Sequence, residues 1–210
     1  MAKLIVIAAP SGAGKTSLIQ ALLEEAGDLK FTLSISYTTR EKRVTEKHGE
    51  SYYFISNKEF KHMIKEKEFL EYADVFGDLK GTSKSWVENK IKKGWNVILE
   101  LDWQGASQVK NIYPDSETIF ILPPSYDDLK IRLNKRGLDK KEAINSRLAE
   151  AKEEIKQGQN FDHLIVNDQF KEALTDLKSI IIFNKEITDE RKELVSFCLK
   201  GLLEEKTDIL

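Results

Sequence analysis

Leu4-Ile5-Val6-Ile7-Ala8-Ala9-Pro10-Ser11-Gly12-Ala13-Gly14-Lys15-Thr16 is the stretch on which the reading of the fold turns. Leu4–Ala8 is an unbroken apolar run without polar alternation, as expected of a strand covered on both faces in a parallel sheet. It is very short for a secretory core and leads straight into Pro10-Ser11-Gly12, so it reads as a buried strand and not as a signal peptide. Small residues and glycines follow. Leu18, Ile19, Leu22 and Leu23 then recur at helical spacing. The order is strand, small-residue loop, helix. Such a loop lets successive N–H groups curl around one anion, and the helix behind it adds the positive end of its dipole.

Ala9, Pro10, Ser11, Gly12, Ala13, Gly14, Lys15 and Thr16 together resemble the Walker A phosphate loop, with Ala9 where the strict pattern has glycine. Lys15 is expected to reach the β- and γ-phosphates of ATP. The Thr16 hydroxyl is expected to ligate Mg²⁺. An ordinary glycine-rich turn with a surface lysine is the alternative; the apolar strand before and the amphipathic helix after weigh against it. A phosphate loop alone names no substrate, because GTPases, ATPases and small-molecule kinases all use one.

Outward from the loop, Leu33–Tyr37 and Tyr52–Ile55 look extended, and Ser56 with Glu59 forms a capping box ahead of Phe60, Met63 and Ile64. Phe69–Phe76 reads as a strand. Gly81 with Thr82 or Ser83 opens a helix that ends near Gly94. Trp95–Asp102 and Thr118–Leu122 restore the buried-strand pattern, the second closed by Pro123-Pro124. Helices are expected at Ser125–Arg136 and Asp139–Gln157, a short strand at Leu164–Val166, and two final helices at Asp168–Leu177 and Asp189–Leu203 around an Ile180–Phe183 strand. The spacing predicts an α/β chain: a phosphate-loop core at 1–33, 95–124 and 158–210, a mixed α/β insertion at 34–94, and a helical, basic insertion at 125–157. An open parallel sheet binds ligands beyond the carboxyl ends of its strands.

Composition narrows the class. With 210 residues, 40% hydrophobic and 32% charged, the chain reads as one soluble globular protein. Thirty-three basic against 35 acidic residues, net charge −2, give no general nucleic-acid footprint. No apolar run approaches the roughly 18 residues of a membrane span. Cys198 is the single cysteine, so no internal disulfide can form, and a reducing cytoplasm fits. It sits among Leu194, Val195, Phe197 and Leu199 and reads as a buried thiol. His48, His62 and His163 are scattered, which speaks against a structural zinc site.

Several further segments carry chemistry. Ser36-Tyr37-Thr38-Thr39-Arg40-Glu41-Lys42-Arg43 is basic; locally it also fits a solvated charged loop. If Phe69–Val75 is a strand, Glu71 shares a face with Phe69, Ala73 and Val75. Either that face is buried and the carboxylate needs an explanation, or the strand is an edge with the face in water. Glu100 and Asp102 alternate onto one face at a strand's carboxyl end, a Walker B-like placement, unless both are simply solvent-exposed. Arg132 and Arg136 share a helix side, and Arg147 flanks the apolar stripe of the next helix; plain charged surface helices are the alternative.

In order and spacing, these segments closely resemble the guanylate kinase family. The match runs through His48-Gly49-Glu50-Ser51-Tyr52-Tyr53-Phe54, Phe69-Leu70-Glu71-Tyr72-Ala73, Gly81-Thr82-Ser83, Asp102-Trp103-Gln104-Gly105-Ala106, Ile119–Ser125, Arg132–Gly137 and Ile165-Val166-Asn167-Asp168, about residues 4 to 185. The resemblance implies transfer of the γ-phosphoryl group of ATP, with Mg²⁺, to GMP and to dGMP. It implies that Arg40, Arg43 and Tyr52 clamp the acceptor phosphate, and that Glu71 reads guanine with Ser36, Thr82 and Asp102 sharing the edge. Glu100 is expected to hold Mg²⁺ waters or to orient the acceptor. Residues 125–157 become a lid whose Arg132, Arg136 and Arg147 contact the transferring phosphoryl group. Asn167 belongs to the adenine side. The chain departs from the family pattern in Lys80 for tyrosine, Thr45 for glycine and Glu100 for a frequent aspartate. Two rivals fit parts of the pattern: a non-catalytic peptide-binding module of guanylate-kinase type, and a phosphate-loop kinase for another nucleotide or a ribose phosphate. Lys15 and Thr16 weigh against the first, the Glu71 and Asp102 pair against the second.

Overall fold

The computed structural model describes residues 2–75, 77–135 and 141–204, with the backbone alone described over 141–146. In chain order the elements are β1 (Leu4–Ala8), α1 (Lys15–Ala26), β2 (Phe31–Leu33), β3 (Tyr37–Thr38), β4 (Tyr53–Phe54), α2 (Asn57–Lys65), β5 (Phe69–Val75), β6 (Asp78–Ser83) and α3 (Lys84–Lys92). They continue with β7 (Asn96–Leu101), α4 (Trp103–Ile112), β8 (Glu117–Leu122), α5 (Tyr126–Lys135), α6 (Lys141–Gly158), β9 (His163–Val166), α7 (Phe170–Ile181) and α8 (Asp189–Glu204). Five strands make a parallel sheet in the order β2-β7-β1-β8-β9, and four make a mixed sheet in the order β4-β3-β6-β5. All five residues of β1 are buried, and so are most of β7 and β8. That is why these strands read as apolar runs and not as alternation.

The chain divides into two compact units, one running up to Val6 and from Lys30 to Glu117, the other comprising Ile7–Leu29 and the chain from Thr118 onward. In the first, β2 pairs with β7 from Phe31↔Asn96 to Leu33↔Ile98. β3 runs parallel to β4 and antiparallel to β6, and β5 pairs antiparallel with β6 through a register shift between Phe69 and Glu71. The capping box forms as expected: Glu59 N–H donates to Ser56 Oγ at 3.2 Å, and Ser56 N–H donates to Glu59 Oε2 at 2.8 Å. It aims α2 so that Phe60 is fully buried and stacks on Phe69, ring centroids 4.4 Å apart.

In the second unit β8 pairs parallel with β9 from Ile119↔His163 to Leu122↔Val166. Leu18, Ile19 and Leu22 of α1 are buried. Leu129 and Leu133 of α5, Ala151 and Ile155 of α6, and Val195, Cys198 and Leu202 of α8 share one core cluster with Phe120 and Leu122. Cys198 is buried, as its apolar surroundings predict. Among the described residues no helix is long and apolar enough to cross a membrane.

Two local expectations are corrected. The strand expected at Ile180–Phe183 is the end of α7, which runs through Ile181. Ala173, Leu174, Leu177, Ile180 and Ile181 form one buried helical stripe, and that burial outweighs the β preference of the three consecutive isoleucines Ile180–Ile182. The helix expected to open at Gly81 begins at Lys84, because Asp78–Ser83 is taken up by pairing with β5. Helix α4, straight after the acidic strand end, was not separated as an element by pattern alone; its cap is Asp102, whose Oδ1 accepts from Gly105 N–H at 2.8 Å.

Candidate active site

The loop expected to hold the phosphates lies in the second unit. β1 delivers the chain into the loop Ala9–Gly14, and α1 starts at Lys15. Gly14, the N-cap, has φ 94° and ψ 15°; no side chain caps the helix and no acid sits in its first turn. The positive end of the helix is therefore not neutralised by acids of its own first turn, as an anion site requires. Gly14 is also a steric necessity, since a Cβ there would stand 2.4 Å from Asn167 Nδ2. That amide donates to the Ala13 carbonyl at 2.7 Å in a buried hydrogen bond, so the end of β9 braces the phosphate loop. Arg132 Nη2 donates to the Asn167 carbonyl at 2.8 Å, and Arg147 Nη1 to Ser11 Oγ at 3.3 Å. Two of the three arginines expected of the lid thus reach the loop or its brace; Arg136 lies outside the described residues. Lys15 is half-buried and Thr16 exposed at the mouth of the helix. One hydroxyl beside an anion-binding helix end suits Mg²⁺, which typically keeps several waters and is held largely by substrate phosphates.

The first unit holds two polar clusters. One gathers Arg40, Arg43, Tyr52 and Glu100, all named from the sequence, and adds Glu46, which was not. Arg40 Nη2 donates to Glu46 Oε1 at 2.6 Å, and Glu46 Oε2 accepts from Arg43 N–H at 2.8 Å. The Arg40 guanidinium lies 5.6 Å from the Tyr52 ring centroid and 5.8 Å from that of Phe54. Burial raises the Tyr52 phenol above its usual range, and the Glu100 charge adds to this while Arg40 and Arg43 oppose it. Tyr52 is thus a hydroxyl donor flanked by cations, a pairing suited to phosphate oxygens. Glu46 carries no pattern signal beyond being an acid close after Arg43, which is why it was missed.

The other cluster surrounds Glu71, which is 4% exposed. The water-facing edge alternative is thereby excluded, although β5 is an edge strand. Its Oε1 has no hydrogen-bond partner, and neither has Thr82 Oγ1, its register partner on β6. Burial first, and then the Asp102 charge, push the Glu71 carboxyl from 4.5 up to about 7, against the opposing influence of Thr82 and Lys80. Lys80, standing where the family has tyrosine, therefore acts on the Glu71 carboxyl. Gly105 closes over the site: a Cβ would lie 2.6 Å from Glu71 Oε2. A glycine inside a helical run is the sequence signal for such a close approach. Ser36 is half-buried just before β3, and its carbonyl accepts from Tyr53 N–H at 2.9 Å. Asp102 Oδ1 caps α4 by accepting from Gly105 N–H at 2.8 Å, and Oδ2 accepts from Gln104 Nε2 at 3.5 Å.

A parallel sheet, a glycine-cornered loop at a helix N-terminus and a buried unpaired carboxylate define a phosphate-loop α/β protein that reads a nucleotide. The chain belongs to the guanylate kinase family. The family model described as guanylate kinase matches residues 1–184. A guanylate kinase from Saccharophagus degradans is 44% identical over 200 residues, covering 95% of this chain and 97% of the relative. One from Hahella chejuensis is 51% identical over 178 residues, 85% of each chain. The crystal structure of guanylate kinase from Anaplasma phagocytophilum superposes with a TM-score of 0.72 at 29% identity, over 93% of this chain and 94% of that one.

Proposed function

We propose that the chain transfers the γ-phosphoryl group of ATP to GMP, and to dGMP, giving ADP and GDP or dGDP, as an ATP:GMP phosphotransferase with Mg²⁺ accompanying ATP. Family membership over nearly the whole chain supports the activity. The single observation that carries the acceptor is the buried Glu71 oxygen with no partner. Guanine offers N1–H and N2–H₂ donors on one edge, and a carboxylate accepts both; adenine lacks that pair. Thr82 completes the pocket's polar wall, and Ser36 and Asp102 share the edge.

The reaction needs no general base. The acceptor phosphate has a second pKa of about 6 and is already mostly dianionic at pH 7. The obstacle is repulsion between two polyanions, which positioned cations relieve. Arg40, Arg43 and Tyr52 hold the acceptor phosphate, with Glu100 orienting it. The loop Ala9–Gly14, Lys15 and Thr16 hold the triphosphate and its Mg²⁺. Arg132, Arg136 and Arg147 act on the transferring group, and Asn167 on the adenine side. Mg²⁺, when bound with ATP, neutralises charge on the β- and γ-phosphates. In this reading residues 34–94 are the acceptor-binding insertion and 125–157 the lid, and the protein works in the cytoplasm on small-molecule substrates, without nucleic acid or membrane.

ADP release measured across GMP, dGMP, AMP, UMP and CMP tests this directly. Turnover with the guanine nucleotides at least about 10⁴-fold above the others is expected, because a wrong base leaves buried polar groups unpaired. Equal turnover with AMP refutes the assignment of Glu71. Lys15→Ala should lower kcat by about 10²–10³; a rate near that of the unsubstituted chain removes Lys15 from the chemistry.

A further inference from the structure

β5 forms one edge of the mixed sheet. A sheet edge presents N–H and C=O groups that no strand pairs. At Tyr72 one side chain closes that edge: Gln108 Oε1 accepts from the Tyr72 N–H at 3.2 Å, and Gln108 Nε2 donates to the Tyr72 carbonyl at 2.8 Å. The side-chain amide supplies the acceptor and the donor that a neighbouring peptide would offer. Tyr72 directly follows Glu71. Gln108 stands on α4 three residues after Gly105, so the two share a helix face. Through that face α4 meets two successive residues of β5: Gly105 lies over the Glu71 carboxylate, and Gln108 grips the next peptide.

The register of β5 against β6 shifts between Phe69 and Glu71. At such an irregularity the ladder is locally disrupted and the strand bends, so the ladder alone holds the Glu71 backbone less firmly. A second restraint on the other edge of β5 therefore has something to fix. We propose that Gln108 is a positioning residue for base recognition, setting the place and depth of the Glu71 carboxylate by holding the Tyr72 peptide. This inference rests on the reading of Glu71 as the reader of guanine. A residue that merely covered a sheet edge would affect stability and leave acceptor affinity alone.

The test uses the full chain with Gln108→Met, Glu71→Gln and the double variant, reading KM for GMP, KM for ATP and kcat in the ADP-release assay. Methionine keeps the unbranched shape and removes both hydrogen bonds. KM for GMP should rise about tenfold with KM for ATP unchanged. In the double variant KM should stay near that of Glu71→Gln alone, because a residue acting through Glu71 is non-additive with it. Gln108→Glu, which keeps only the acceptor, gives a second reading and should also raise KM for GMP. An unchanged KM for GMP together with a lowered Tm overturns the inference, and so do losses that multiply in the double variant. If the unsubstituted chain does not phosphorylate GMP, the functional reading itself fails. If it does, and Glu71→Gln weakens GMP while Gln108→Met does not, only the role of Gln108 is lost.

Discussion

Arg191 in the second unit is 9% exposed, and its guanidinium is used on every side: Nε donates to Asp176 at 2.7 Å, Nη1 to Asp168 at 3.0 Å and Nη2 to the Val166 carbonyl at 2.8 Å. Glu71 in the first unit is buried still more deeply, yet its Oε1 has no partner, nor has the hydroxyl of Thr82. Both side chains were taken out of water at a cost of several kcal/mol. For Arg191 the fold returns that cost itself, by tying α8 to α7 and to the end of β9. For Glu71 it does so only in part: Thr82 and Lys80 favour the charged form, yet Oε1 is unmet and burial pushes the carboxyl up to about 7. Ser116 Oγ is also buried without a partner, but a neutral hydroxyl loses far less than a carboxylate. A satisfied buried charge is architecture; in the proposed reading, the unmet oxygen of Glu71 is kept for a ligand that brings the missing donors.

The contrast can be broken most forcefully at Arg191. Arg191→Met leaves two carboxylates without their cation and should cost about 3–5 kcal/mol in urea unfolding. Affinity for GMP should hold, since Arg191 and its three partners belong to the second unit and the Glu71 cluster to the first. A stable Arg191→Met chain would mean that the pairing is ornamental.

Glu71 gives the next effect, with a defined sign. Its folded pKa, about 7, lies above the ordinary 4.5. Between those values the folded state holds a proton that the unfolded state has released, so stability falls as pH rises through this window and the penalty is complete above it. The size is about 3 kcal/mol. Unfolding midpoints of the ligand-free chain at pH 5 and pH 8 should show the decline, and Glu71→Gln should lack it. The same substitution should weaken GMP about 100-fold and leave ATP untouched; equal losses for both would take Glu71 out of base recognition.

Gly14→Ala asks the corresponding question of the phosphate loop. A side chain there has to adopt φ 94° and displace Asn167 from Ala13. About 1–3 kcal/mol of strain is expected, with KM for ATP raised and KM for GMP kept. The smallest effect belongs to Glu46. Its link to Arg40 is partly exposed, so Glu46→Gln should change stability by only about 0.2–1 kcal/mol in thermal unfolding. A larger loss would place that ion pair nearer in kind to Arg191.

Much of the fold was legible in advance. The apolar runs at Leu4–Ala8, Val97–Leu101 and Thr118–Leu122 gave the buried strands, because only a strand covered on both faces dispenses with polar alternation. The Ser56 and Glu59 box marked the start of α2 by local hydrogen bonding alone. The end of α7 was misjudged, since Ile180 and Ile181 prefer strands in isolation and only the surface they pack against makes them helical. Gly105 and Gln108 were passed over for a related reason: what they meet lies more than thirty positions earlier in the chain.

The sequence by itself determined the phosphate loop, the strand that leads into it and the helix that follows, for these depend on local backbone freedom and on periodicity. It also held the arginines, the tyrosine and the carboxylate to which the proposed reading assigns the acceptor. Only the tertiary structure decided that Glu71 is sealed from water with an oxygen unmet, that Asn167 braces the loop, and that each nitrogen of the Arg191 guanidinium meets an acceptor. Burial and hydrogen-bond satisfaction are properties of a side chain's surroundings, and those are assembled from residues far apart along the chain.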